Sequence, residues 1–210
     1  MENLKVFYVD INEDDDSGMD GISLVKEGAV QVDFLCFGSE KDPIQLNFFE
    51  EDQRIITGVV ARADYPIYRR NGDYEYYVVF TKEVIRKLIR KYSKRGLFNR
   101  VNLDHNNYAF VKDVCLTESF IVDKSRGICP KEFENIEDGS WICSFYVEDT
   151  NLWNEIKNND SFNAFSLQGL FHLIPEDDDV VEIEKQEHSE DLKEDTFEEW
   201  LDNLIEESKM

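Results

Sequence analysis

The chain has 210 residues and a formal net charge of −23, from 46 acidic and 23 basic residues. Phosphate recognition needs a basic footprint, so this excess of carboxylates argues against a direct nucleic-acid partner. Hydrophobic residues make up 41% of the chain and aromatic residues 13%, which is too apolar for global disorder and favours a folded, β-rich body.

The sequence also lacks the patterns of a membrane span, a zinc knuckle and a redox motif. No apolar run approaches the ~20 residues that cross a bilayer, and no basic start followed by an apolar stretch suggests a signal peptide. The cysteines are widely spaced and form no CxxC pair: Cys36, Cys115, Cys129 and Cys143. We expect reduced, mostly buried thiols in a cytoplasmic protein without membrane contact.

Hydrophobic alternation predicts strands along the first part of the chain. They are expected at Leu4 to Val9, Ala29 to Phe37, Arg54 to Arg62 and Tyr74 to Phe80. The acidic run Asn12 to Asp16 should form a turn after the first of these strands.

A helix is predicted over about Lys82 to Arg95. Thr81 can serve as its N-cap, and Gly96 can supply a left-handed stop. The face opposite the apolar stripe carries five basic residues: Arg86, Lys87, Arg90, Lys91 and Lys94. A solvated helix face explains this run, and a docking surface for an acidic segment is the alternative.

The remainder of the body again predicts strands, with one short helix. The strands are expected at Asn102 to His105, Tyr108 to Val114, Thr117 to Asp123, Ser140 to Val147 and Phe162 to Leu173. The strand from Ser140 alternates cleanly and should be central in its sheet. The helix should begin at Asp149 or Thr150 and turn three residues inward: Leu152, Trp153 and Ile156.

Residues 175–210 are predicted to be an acidic tail that follows a body at residues 1–174. The tail carries 16 acidic and 3 basic residues, a net charge of −13, which leaves −10 of the total −23 on the body. Apolar residues near its end recur at helical spacing: Phe197, Trp200, Leu201, Leu204 and Ile205. We expect an acidic linker followed by an amphipathic helix.

Ser166 is a small polar residue within an apolar predicted strand, three residues before Gly169. A glycine there lets another backbone or a substrate approach closely. From the residues alone, a structural hydroxyl bonded to the neighbouring backbone explains Ser166 more readily than a nucleophile does. His172 shares a strand face with Ser166 but is about 20 Å away along the strand, too far for a hydrogen bond.

His105 ends a predicted strand and enters a polar turn, where an imidazole could face a cleft and act as a general base. An ordinary surface histidine is the alternative. Asp104, Asp113 and Glu118 are carboxylates that could orient it, and Glu118 stands out because it interrupts a largely apolar strand. A solvated charge on an edge strand is the competing interpretation of Glu118.

Four segments carry a further signal because of their order along the chain. They are Gly21-Ile22-Ser23-Leu24-Val25 leading to Asp33-Phe34-Leu35, Gly58-Val59-Val60 leading to Asp104-His105-Asn106, Glu118-Ser119-Phe120-Ile121-Val122-Asp123, and Gly139-Ser140-Trp141 leading to Ala164-Phe165-Ser166-Leu167-Gln168-Gly169. In this order they resemble the phage prohead, or capsid-maturation, serine proteases, a family related to the herpesvirus assemblin proteases. The last segment has Ala164 where the family usually has glycine.

The resemblance implies a serine endopeptidase in which Ser166 is the nucleophile, His105 is the base and Glu118 is the third catalytic member, with no metal or cofactor. Its substrates would be scaffold and capsid proteins, and the protease itself, inside an assembling prohead in the host cytoplasm. Scaffold, major capsid and portal proteins are the expected partners, and a homodimer is expected by analogy with the assemblins.

We expect an α+β, mainly β fold: a distorted β-barrel or sandwich flanked by helices, with an acidic C-terminal tail. The main alternative function is a catalytically inactive structural or scaffolding protein of the phage head with the same fold. An acidic mimic of nucleic acid is a further alternative, but it leaves the ordered histidine and serine segments unexplained.

Overall fold

The computed structural model describes residues 4–26, 54–71, 74–106, 110–157, 162 and 164–176. These residues contain ten strands, two α-helices and two short 3-10 helices. These residues belong to one compact unit, Met1–Glu176. The predicted strand at Ala29 to Phe37 and the predicted tail helix lie outside the described residues, so both stay predictions.

The strands form three sheets, here numbered I to III. Sheet I has the order β10-β1-β5-β4 and contains β1 (Lys5–Asp10), β4 (Ile67–Asn71), β5 (Tyr74–Val79) and β10 (His172–Pro175). Sheet II has the order β6-β2-β9 and contains β2 (Gly18–Val25), β6 (Val101–Leu103) and β9 (Ala164–Leu170). Sheet III has the order β3-β8-β7 and contains β3 (Ile55–Ala61), β7 (Val114–Ile121) and β8 (Trp141–Val147).

The mainly β, α+β class predicted from the sequence is confirmed, but the three sheets do not close into a barrel within the described residues. The centre of sheet III is β8, as its pattern predicts. Trp141, Cys143 and Phe145 on one face are buried, and so are Ile142 and Ser144 on the other. Because both faces of β8 are covered, it forms part of the core.

The first helix, α1 (Lys82–Lys94), has the predicted caps. Thr81 Oγ1 accepts a hydrogen bond from the Val84 amide at 3.3 Å, and Gly96 has a left-handed φ of 65°. The apolar stripe of α1 is buried: Val84, Ile85, Leu88 and Tyr92. The second helix, α2 (Thr150–Lys157), buries the three predicted residues, Leu152, Trp153 and Ile156.

The basic face of α1 pairs with carboxylates at the N-terminal end of the chain. Lys87 Nζ lies 3.3 Å from an Asp10 carboxylate oxygen, and Arg90 pairs with Glu13. The Lys91 ammonium lies 3.6 Å from the Asp15 carboxylate and donates to the Asn12 carbonyl at 2.5 Å. Exposed ion pairs are individually weak, so this cluster orients the acidic turn rather than dominating stability.

Two predicted strands differ from the structure. The single strand expected at Phe162 to Leu173 is interrupted at Phe171, whose ring packs edge-on against Phe80 at 5.6 Å between centroids. The chain therefore leaves sheet II after β9 and joins sheet I as β10. Residues 111–113, expected in a strand, instead form a turn that leads into β7.

The predicted end of the body at residue 174 falls inside β10. Pro175 lies opposite Phe7 of β1, and the Glu176 amide donates to the Val6 carbonyl at 3.0 Å. The expectation of mostly buried thiols holds for Cys143, whereas Cys115 and Cys129 are half-buried; all three are free. No helix in the described part of the chain is long and apolar enough to cross a membrane.

Gly169 allows β9 to approach β2 closely, as the sequence predicts. A Cβ there would overlap the Gly18 carbonyl oxygen and lie 2.8 Å from the Met19 Cα. Because both obstacles are backbone atoms, Gly169→Ala should lower the free energy of unfolding by about 3 kcal/mol or more in urea titrations. The control Gly127→Ala meets no atom within 4 Å and should lose only ~1 kcal/mol for its left-handed φ of 73°. Equal losses for both variants would contradict the close approach.

Candidate active site

Three polar residues lie in register across sheet II. Ser166 of β9 is directly opposite Ser23 of β2, and Ser23 is opposite Asn102 of β6. Residues that are directly opposite on neighbouring strands project to the same face, so the three side chains form one row. All are buried, with exposed fractions of 5% for Ser166 and 0% for Ser23 and Asn102.

The buried row is joined by side-chain hydrogen bonds. The Ser23 hydroxyl donates to Asn102 Oδ1 at 2.6 Å, and Asn102 Nδ2 donates to Gln168 Oε1. Buried polar groups need such partners because unsatisfied ones are costly. Among the hydrogen bonds of the described residues, none involves the Ser166 hydroxyl, which therefore has no protein partner there that competes for its proton.

His105 lies just beyond β6, in a turn with an unusual backbone. Asp104 and His105 both have left-handed φ angles, 48° and 57°, and each such residue costs about 1–2 kcal/mol when it is not glycine. Two hydrogen bonds to β2 hold the turn: the Asp104 amide donates to the Leu24 carbonyl at 2.9 Å, and the His105 amide donates to Ser23 Oγ at 2.7 Å. Sheet II therefore holds the turn that carries His105 against β2, the strand that pairs with β9 and Ser166.

The surroundings of His105 favour its neutral form. His105 is exposed to solvent on one side, and the partial desolvation of its ring lowers its pKa first; the positive charge of Arg69 on β4 lowers it further, while Asp104 opposes both effects. Arg69 is itself largely desolvated, which lowers its own pKa. A neutral imidazole at pH 7 is the form that a general base requires. Within the described residues, the ring is not hydrogen-bonded to the Ser166 hydroxyl.

Glu118 lies in a different sheet from Ser166 and His105. It is on β7 of sheet III, where its carboxylate accepts a hydrogen bond from Ser144 Oγ at 2.7 Å. Ser144 is buried and also bonds Thr57 Oγ1 at 2.9 Å. This pairing gives Glu118 a structural partner on β8, and no hydrogen bond joins it to His105 in the described part of the chain. Its catalytic role stays a prediction.

The polar row contains residues that the sequence patterns do not single out. Ser23 and Asn102 were not candidates, because each is unremarkable beside its own neighbours along the chain. The available signal was a serine among the apolar residues of β2, followed by an asparagine in β6. His172 does not share a strand with Ser166, contrary to the prediction from the sequence: it is on β10 of sheet I, with Nε2 3.0 Å from an Asp15 carboxylate oxygen.

The described residues contain no group of three or more His, Cys, Asp or Glu that could hold a metal ion. Ser166 and the turn that carries His105 both adjoin Ser23 of β2, and a serine with a histidine base is the pair of residues that serine hydrolases use for covalent catalysis.

Residues 45–174 match the family model described as "Putative phage serine protease XkdF". The match covers more than half of the chain and includes Ser166, His105 and Glu118, so the chain belongs to this phage serine protease family. The resemblance to a phage serine protease family is thereby confirmed, while the relation to the assemblins stays a prediction. The comparisons with curated proteins and with solved structures found no match.

The charges around His105 predict opposite effects of two substitutions on its pKa. Arg69→Gln removes a cation that disfavours the imidazolium, so the pKa of His105 should rise. Asp104→Asn removes an anion that favours it, so the pKa should fall, and asparagine tolerates the left-handed backbone at this position. Histidine ring signals followed by NMR across pH would measure both shifts. Shifts of the same sign, or none in either variant, would contradict the assigned surroundings.

Proposed function

We propose that the chain is a serine endopeptidase in which Ser166 is the nucleophile and His105 is the general base. The observation that carries this proposal is the register of sheet II. Ser166 is directly opposite Ser23, and the Ser23 hydroxyl holds the backbone of His105. Membership of a phage serine protease family adds independent support.

The proposed reaction uses the neutral imidazole of His105. It takes the proton of the Ser166 hydroxyl while Oγ forms a bond to the scissile carbonyl carbon. The imidazolium then gives that proton to the leaving amine as the C–N bond breaks, which leaves an acyl ester on Ser166. Water, deprotonated by the same imidazole, releases the new carboxyl terminus and restores the serine. Arg69, which lowers the pKa of His105, disfavours the imidazolium and so keeps the resting base ready.

The proposed substrates are scaffold and major capsid proteins, together with the protease itself, during maturation of the phage head. The phage family supports the setting, and the ordered segments that resemble prohead proteases support the substrate class. The proposed location is the interior of the assembling prohead in the host cytoplasm. Portal protein is a further candidate partner, and a homodimer is the candidate assembly of the protease. The net charge of −23 favours protein partners over nucleic acid.

An inactive structural protein of the phage head is the second candidate function. It is favoured by the open geometry of the site, because the Ser166 hydroxyl and the His105 ring are not hydrogen-bonded within the described residues. The pairing of Glu118 with Ser144 also leaves His105 without the predicted third member. Catalytic hydrogen bonds often tighten only in the substrate complex, so this geometry is compatible with an enzyme as well.

Cleavage assays separate the two functions. Ser166→Ala and His105→Ala should each abolish cleavage of co-expressed scaffold and capsid proteins and of the chain itself. Both variants should keep their stability within about 1–2 kcal/mol, because neither change empties a large core volume. Ser93→Ala, which changes an exposed serine on α1, is the control and should cleave at the wild-type rate. Cleavage by either site variant would refute the assignment, and a folded but inactive wild type would favour the structural protein.

A further inference from the structure

Ser23 has an unusual position for a buried serine. Its hydroxyl accepts from the His105 amide at 2.7 Å and donates to Asn102 Oδ1 at 2.6 Å, while its Cα partner on β9 is Ser166. One fully buried side chain therefore contacts the turn that carries the proposed base and lies beside the proposed nucleophile. A strand interior without a functional demand would more simply contain an apolar residue here.

Asn102 extends the connection to the strand of the nucleophile. Its amide nitrogen donates to Gln168, which lies two residues after Ser166 and so projects from the same face of β9. The bond crosses over β2 near Gly21, the partner of Gln168, which has no side chain to obstruct it. A Cβ at Gly21 would also lie 2.8 Å from the Arg100 carbonyl oxygen. The hydrogen-bonded chain runs from the His105 amide through Ser23 and Asn102 to Gln168.

We propose that Ser23 and Asn102 are positioning residues that hold the Asp104–His105 turn at a fixed place relative to Ser166. This inference rests on the proposed function, because it assigns Ser23 and Asn102 to the same site. The turn has two consecutive left-handed residues and needs an external restraint, and the Ser23 hydroxyl is the side chain that supplies one. Asn102 Oδ1 fixes the orientation of that hydroxyl by accepting its hydrogen bond, which leaves the lone pairs of Ser23 Oγ directed at the His105 amide.

Sheet III contains a matched comparison. Thr57 and Ser144 also form a buried hydroxyl pair across neighbouring strands, at 2.9 Å, but their chain of hydrogen bonds ends at Glu118. Ser144→Ala therefore removes the same chemistry from an equally buried strand without touching the His105 turn. Comparing hydrogen exchange in Ser23→Ala and Ser144→Ala separates a positioning role from a general loss of stability.

The experiment measures saturable labelling of the full-length variants with a fluorophosphonate, well below their melting temperatures. Ser23→Ala should lower the maximal labelling rate ~10–100-fold, because a small displacement of the base has effects of this size. Its half-saturating probe concentration should stay within about threefold, since the substitution does not alter probe contacts. Ser23→Thr keeps the hydroxyl and should recover most of the rate. Ser140→Ala removes another fully buried hydroxyl, one that accepts from the Ala63 amide at 3.0 Å, and should label like the wild type.

Hydrogen exchange of the His105 amide tests the same inference without relying on activity. Exchange should accelerate at least tenfold in Ser23→Ala and stay at the wild-type rate in Ser144→Ala. Unchanged labelling and exchange in Ser23→Ala would overturn the inference, as would equal losses of labelling in Ser23→Ala and Ser140→Ala. If the wild type itself is not labelled, the proposed function fails, and the exchange rates alone decide whether Ser23 holds the turn.

Discussion

The antiparallel pairing of β2 with β9 is the constraint on which the candidate site depends. It places Ser23 opposite Ser166, and a slip of one residue would turn Ser166 to the other face of sheet II. Gly169 permits this pairing because any side chain at that position would overlap the backbone of β2. The pairing of the two backbones therefore determines the face of sheet II to which the Ser166 side chain projects, without any contribution from contacts of its hydroxyl.

The same strand, β2, is braced from its N-terminal side by α1. Lys91 of that helix reaches Asp15 in the acidic turn. Arg95, the C-cap residue of α1, reaches Asp20 of β2, with its guanidinium 3.1 Å from the carboxylate. Part of the large acidic excess of the chain thus serves a local purpose, because these carboxylates neutralise a basic helix face that would otherwise repel itself. Each pair is weak in water, but several of them act on one short segment that leads directly into β2.

The sequence predicted those helices and strands whose buried faces follow the periodicity of their own apolar residues. The caps and stripe of α1, the central position of β8 and the inward face of α2 all depend on residues close in sequence. β2 was missed as a strand because two glycines and an aspartate break its alternation, and its burial comes from partners more than 70 residues away. For the same reason the sequence indicated Ser166 and His105 only through the order of four segments. The serine among the apolar residues of β2 and the asparagine of β6 were weak signals for Ser23 and Asn102, because their proposed roles arise from register between distant strands.

The most direct test of Ser166 as nucleophile is peptide mapping by mass spectrometry of the wild-type chain after reaction with a fluorophosphonate. Attack by an activated serine leaves a stable phosphonyl ester on its Oγ, so the position of the added mass identifies the nucleophile. One adduct per chain, located on the peptide that contains Ser166 and absent after denaturation before labelling, is the predicted result. A stoichiometric adduct on any other serine, or a folded chain that gains no adduct, would contradict Ser166 as the nucleophile.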